Sequence, residues 1–180
     1  ISGDPTYTSL AKLGRECKAN GKSVSSNLGG GLQGHLGLVC STAAYQRISP
    51  GVPFDRPILS VLPNLSNSTG AQIEDARQRF EDDLITFNAC NVMEPTIVQQ
   101  INTALDKDCL ADLIEDDTGL LEGTIPEIIQ TLFNTYGSIA PQSLAAAKAK
   151  VEAVTYNHGR PIVTIFTEIN EYASMAEAAH

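Results

Sequence analysis

Thr124-Ile125-Pro126-Glu127-Ile128-Ile129-Gln130-Thr131-Leu132-Phe133-Asn134-Thr135-Tyr136-Gly137 is a helix with both ends written into its residues. Thr124 and Glu127 have the spacing of a reciprocal N-terminal cap, and Pro126 sits in the first turn, where its missing N–H costs little. Ile125, Ile128, Ile129, Leu132, Phe133 and Tyr136 recur at helical spacing, and Gly137 stands where a left-handed C-cap belongs. The apolar stripe must pack on other helices, and no residue on it is a catalytic group.

The same pattern extends in both directions. Upstream, Asp4-Pro5 reads as an N-cap and first helical residue. Tyr7, Leu10, Leu13 and Cys17 follow as a stripe, and Asn20-Gly21 reads as a stop. Residues 21–34 are rich in Gly and Ser and read as a loop. Ser41 can cap a short helix through Tyr45 and Ile48. Pro50, Pro53, Pro57 and Pro63 then forbid a regular helix over 49–69 and disfavour a central strand. That stretch reads as an extended, ordered arm, because Phe54, Ile58, Leu59, Val61 and Leu62 need somewhere to pack.

From Thr69 onward the pattern is helical almost to the end. Ile73, Ala76, Phe80, Leu84 and Phe87 form one stripe. Pro95 reads as the start of a new helix with Val98, Ile101 and Leu105 inward, and Leu110, Leu113 and Ile114 as a short one. Beyond Gly137, Pro141 opens a helix with Leu144, Ala147, Val151 and Val154 inward, ended by His158-Gly159. Pro161 opens the last, with Ile162, Ile165, Phe166 and Ile169 as its stripe. No alternating strand pattern of useful length occurs, so the class is all-α, a multi-helix bundle with a proline-rich extended arm. Phe80, Phe87, Ile101, Leu105, Ile128, Leu132, Phe133 and Phe166 are the expected core. Gly137-x-x-x-Pro141 separates two complete helices. It divides an N-terminal helical lobe, 1–137, from a C-terminal helical segment, 138–180, read as the start of a second lobe.

Composition narrows the function classes. The 180 residues carry a formal net charge of −9, which repels phosphate backbones, and no basic run offsets it. No apolar run reaches the roughly 18 residues that a membrane span needs. The first residue is Ile1, which suggests a fragment or processed product. Cys17, Cys40, Cys90 and Cys109 lack metal-ligand spacing and read as reduced, partly buried thiols, with a disulfide as the lesser alternative. The sequons at Asn64 and Asn67 lie in a Ser/Asn-rich loop and read as unglycosylated.

No residue is assigned a catalytic, cofactor-binding or metal-ligating role. Gly29, Gly31 and Gly34 match G-x-G-x-x-G but lack the flanking strand and helix of a dinucleotide site, so they read as a flexible connector. His35, His158 and His180 have no partner at i+3 or i+4. His35, between Gly34 and Leu36, is the best placed for a specific task, although a structural role is the simpler reading. Asp106-Lys107-Asp108 begins like a calcium loop that Leu110 and Ala111 break, leaving a solvated acidic face. No Ser or Thr has the spacing of a nucleophile with its base.

The block 97–169 resembles the gag-like polyproteins of copia-type retrotransposons. In that family a capped helix ending in an aromatic, here Thr124 to Tyr136, precedes a helix with a leucine stripe, here from Ser143-Leu144. A polar break follows, here Asn157-His158-Gly159-Arg160, and then an amphipathic helix, here Pro161 through Ile165, Phe166 and Ile169. Gly34-His35-Leu36-Gly37-Leu38 and Pro50-Gly51-Val52-Pro53-Phe54-Asp55-Arg56-Pro57 resemble a branch of these proteins from single-celled algae. Two departures stand out: Ile129 occupies the place of a usual Trp, and the family continues past this point with further helices and often a zinc knuckle.

The resemblance implies a capsid-like bundle without catalytic residues, whose partner is itself. RNA contact would come only through regions outside this chain, no membrane would be involved, and the location would be intracellular and cytoplasmic. Ile162, Ile165, Phe166, Ile169 and Tyr172 are the expected self-association residues, some facing the core and the remainder a neighbouring subunit. The runner-up is a helical adaptor module derived from a capsid domain, and an enzyme of unrecognised class comes third.

Overall fold

The computed structural model describes residues 3–59, 61, 69–155, 158–159 and 161–179. These form seven α-helices: α1 (Tyr7–Ser23), α2 (Thr42–Ile48), α3 (Gly70–Ala104), α4 (Lys107–Leu110), α5 (Ile125–Tyr136), α6 (Pro141–Glu152) and α7 (Ile162–Ala178). Short 3-10 turns occur at Leu28–Gly30, Leu36–Leu38 and Ala111–Leu113, and the described residues contain no β-strand. The all-α class therefore holds.

α1 begins two residues later than Asp4-Pro5 suggests. Thr6 Oγ1 accepts from the Ser9 amide at 3.3 Å while Ser9 Oγ accepts from the Thr6 amide at 2.8 Å. That reciprocal cap satisfies two orphan donors, which outweighs the bare Asp-Pro signal. The helix also runs through Asn20-Gly21 to Ser23, because Gly21 is a contact site and not a stop. A Cβ on Gly21 would lie 3.1 Å from Val39 Cγ2 and 3.4 Å from the His35 carbonyl oxygen.

α3 corrects a second reading. It is a single helix of 35 residues, about 52 Å long, with Pro95 inside it. An interior proline removes one helical hydrogen bond and costs about 3 kcal/mol. Cys90, Met93, Ile97 and Ile101 lie on one unbroken stripe either side of Pro95, and all four are buried. Burying such side chains stabilises by roughly 1.5–3 kcal/mol each, so the packed stripe carries the helix through the proline.

The core is the meeting of α1, the second half of α3, and α5. Leu10, Leu13 and Cys17 from α1 join the α3 stripe and Ile125, Ile128 and Leu132 from α5, with Leu38, Val39, Leu105 and Leu110 sealing the ends. Tyr7 and Phe133 meet edge-to-face at 5.6 Å across α1 and α5. Of the expected core, Ile101, Leu105, Ile128 and Leu132 are buried, while Phe80, Phe87 and Phe133 are half-buried. Phe166 is 57% exposed, contrary to that expectation, because α7 turns a different side to the body.

In the proline-rich stretch, Phe54 packs against the core, and Arg56 bridges to Glu94 of α3 at 2.6 Å. Ile58 and Val61 are 87% and 86% exposed and Leu59 is also exposed, so these three do not find the packing expected of them. Leu62 and the sequon asparagines Asn64 and Asn67 fall outside the described residues.

α6 and α7 form a hairpin, tied by Lys150 to Glu168 at 3.4 Å. The far half of α7 rests on α1. Tyr7 Oη donates to the Ser174 carbonyl at 3.0 Å, Arg15 pairs with Glu171 at 3.6 Å, and Met175 is buried.

Leu132→Ala is expected to destabilise by roughly 2–5 kcal/mol in denaturant titration, the range for emptying a packed core position, while Phe166→Ala changes stability by less than about 1 kcal/mol. The α5 cap adds a pH dependence. Hydrogen bonds from the Thr124 amide and hydroxyl hold the Glu127 carboxyl below its ordinary 4.5. A depressed carboxyl contributes above its unfolded value and loses that contribution as pH falls through its folded one. Glu127→Gln should therefore flatten the fall in melting temperature below pH 4.5.

Candidate self-association surface

Helical geometry divides α7 into two sides. At 3.6 residues per turn, Ile162, Phe166, Ile169 and Ala173 fall in one narrow sector with Val163 beside it. Glu168, Glu171 and Met175 fall in the opposite sector, where the contacts with α6 and α1 are made. Burial follows that division. Ile162 is 56% exposed, Val163 68% and Ile169 39%, while Ile165 and Tyr172 on the flank are half-buried. Of the five residues expected to self-associate, three thus form an outward apolar ridge with Val163, and two join it to the body.

Val163 was missed because it lies off the i, i+4, i+7 stripe. The sequence signal that finds it is the run Ile162-Val163-Thr164-Ile165-Phe166: five residues without a charge leave a helix apolar on more than one side. No charged group lies in the ridge sector between Ile162 and Ala173.

Elsewhere, the candidates singled out in the sequence become structural. The glycine-rich loop, expected to be a flexible connector, is mostly exposed but is packed in place at Gly29 and Gly34, both buried. Gly29 has φ +57°, and a Cβ there would overlap the Tyr45 ring, whose hydroxyl donates to the Gly29 carbonyl at 3.3 Å. Gly34 has φ +54° and lies against the carbonyls of Gly21, Lys22 and Val24, which leaves no space for a side chain. Gly29 and Gly34, the outer glycines of the G-x-G-x-x-G pattern, are explained by those close approaches, without a phosphate.

His35 is buried next to Gly34. Its backbone amide donates to the Gly21 carbonyl at 2.8 Å, and its Nδ1 lies 3.2 Å from the Val24 carbonyl oxygen. The ring thus ties the Gly/Ser loop to the end of α1. Its Nε2 has no hydrogen-bond partner among the described residues. Asp106, Asp108, Asp112, Glu115, Asp116 and Asp117 are all exposed, the last three around a tight turn closed by Glu115 and Leu120. No three His, Cys, Asp or Glu side chains converge as a metal would require among the described residues. His180, Asn157 and Arg160 lie outside those residues.

The cysteines are all free thiols. Burial, reinforced by the neighbouring Glu16 charge, pushes the Cys17 thiol up to about 11, and burial also raises Cys40 and Cys90. Only Cys40 is not fully buried. A thiol reagent on the native protein at neutral pH should modify Cys40 first, with Cys17 reacting only on unfolding, as peptide mapping would show. Among the described residues no helix is long and apolar enough to cross a membrane. Compared with protein-family models, with curated proteins and with solved structures, the chain matches none.

Proposed function

We propose that this chain is a structural protein that associates with copies of itself through the outer face of α7, as the shell-forming, gag-like component of a retrotransposon particle. The observation that carries the reading is the ridge of Ile162, Val163, Phe166 and Ile169, left uncovered on a helix whose other side is docked. Contiguous exposed apolar surface marks interaction sites. The resemblance of 97–169 to copia-type gag proteins supplies the kind of assembly. Weak contacts repeated many times suffice to close a ring or shell. The net charge of −9 fits a shell segment whose RNA contacts lie in regions outside this chain, and the cytoplasmic location follows from the same reading.

The alternative, a capsid-derived adaptor that no longer assembles, would offer the same ridge to one partner of another kind. Sedimentation velocity over a concentration series separates the two. The wild-type chain should form oligomers with rising concentration. Ile162→Asp with Phe166→Asp should weaken that association at least tenfold, about 1.4 kcal/mol, while leaving the melting temperature within a few degrees, since both positions are exposed. A chain that stays monomeric at high concentration favours the adaptor, and an Asp variant that associates as wild type does places the interface elsewhere.

A further inference from the structure

We infer that two copies of this chain exchange their α6–α7 hairpins, each hairpin docking on α1 of the other copy through the contacts it makes on its own. The hairpin is a separate unit. α6 and α7 pack on each other, and no residue of either belongs to the buried core cluster of α1, α3 and α5. The hairpin docks where the far half of α7 meets α1. Tyr7 Oη donates to the Ser174 carbonyl at 3.0 Å, Thr8 Oγ1 donates to Met175 Sδ at 3.9 Å, and Arg15 pairs with Glu171 at 3.6 Å. Tyr7, Thr8, Ala11 and Arg15 leave a space of about 10 Å³ against Glu171, Ser174 and Met175, room for about one water. The receptor that fits the far half of α7 in shape and charge is therefore α1 of this same chain, and every second copy carries it.

Opening the patch leaves the core cluster untouched. Its ion pair stands largely in solvent, with the Arg15 and Glu171 side chains 55% and 35% exposed, and pairs of that kind contribute little. The linker then decides which α1 is used. Only Gly137, Ser138, Ile139 and Ala140 lie between α5 and α6, a reach of about 14 Å. Ala140 is extended, at φ −65° and ψ 138°, as the following Pro141 favours. A short hinge with so little freedom to fold back favours exchange over closure. The docking contacts are the same in both arrangements, so the balance is set by protein concentration against the effective concentration that the linker gives the attached hairpin. Two hairpins exchanged reciprocally close a two-fold dimer. The exchange uses none of the ridge residues, which lie on the opposite side of α7 and stay outward on the dimer.

The test mixes two charge variants of the full chain, both carrying Ile162→Asp/Phe166→Asp so that the ridge does not contribute. Arg15→Glu sets acid against acid in the patch, and Glu171→Arg sets base against base. That holds whether a hairpin closes on its own chain or is exchanged with an identical copy, so each variant alone should dimerise no more than their shared background. In an exchanged heterodimer both contacts regain opposite charges, because the substituted α1 meets the substituted α7 and the native α1 the native α7. Sedimentation velocity of the equal mixture should therefore show a dimer association constant about tenfold above that of either variant alone. A chain carrying both substitutions restores the pair within itself and should return to the background level. Misfolded variants would not give a discrete one-to-one dimer on mixing. A mixture that dimerises no more than its components means that each hairpin stays on its own α1, and the inference falls, while the ridge contact is judged separately on the chain with its ridge intact.

Discussion

The crossing of α1 over the second half of α3 is the contact on which the rest of the structure depends. The buried residues where the two helices meet include the slender Cys17 and Cys90 beside Leu10, Leu13, Met93, Ile97 and Ile101. Close-packed interiors gain from many small dispersion contacts, so these shared buried side chains hold the two helices together. α5 then closes the open side with Ile125, Ile128 and Leu132, and its capped first turn sets where that stripe begins. Because α3 must present Cys90, Met93, Ile97 and Ile101 in one line, it stays helical through Pro95.

The segment before α3 is organised around the same crossing. The chain leaves α1 through carbonyls that press on Gly34, turns beneath the Tyr45 ring at Gly29, and brings Gly37 against Phe54. Tyr45 and Phe54 then meet edge-to-face at 5.5 Å. Each glycine marks a place where an aromatic ring or a row of carbonyls occupies the volume of a side chain. The outer two glycines of a pattern that suggests a nucleotide loop are thus accounted for by packing. Beyond Phe54 the anchoring passes to Arg56 and Glu94, and the apolar residues that follow in the described part are exposed.

Much of the fold was legible because helix ends and stripes are local signals. The N-terminal cap of α5, the Ser41 cap of α2, the Thr69 start of α3 and the prolines opening α6 and α7 all stand where the residues place them, whereas Gly137 ends α5 at φ −78°, without the left-handed turn expected of it. Three of the misreadings share a cause: a tertiary contact overrode a local preference. Pro95 and Gly21 are breakers held inside helices by buried neighbours, and the glycine-rich loop is rigidified by rings contributed from residues 45 and 54. Direction was also beyond local reading. A stripe shows that one side of α7 is apolar, but not that Glu171, Ser174 and Met175 seat the other side on α1. Phe166 is therefore outside and not in the core.

A helix docked by its polar flank with its apolar sector outward is the feature on which the proposed self-association rests. The docked side uses ion pairs to Arg15 and Lys150, and Ile162, Val163, Phe166 and Ile169 stand exposed on the other. Methyl-resolved nuclear magnetic resonance during dilution tests this most directly. As concentration rises, the methyl signals of Ile162, Val163 and Ile169 should shift or broaden while those of the buried Ile101 and Ile128 stay unchanged. Signals of the α7 methyls that remain constant while the protein sediments as an oligomer would contradict the account.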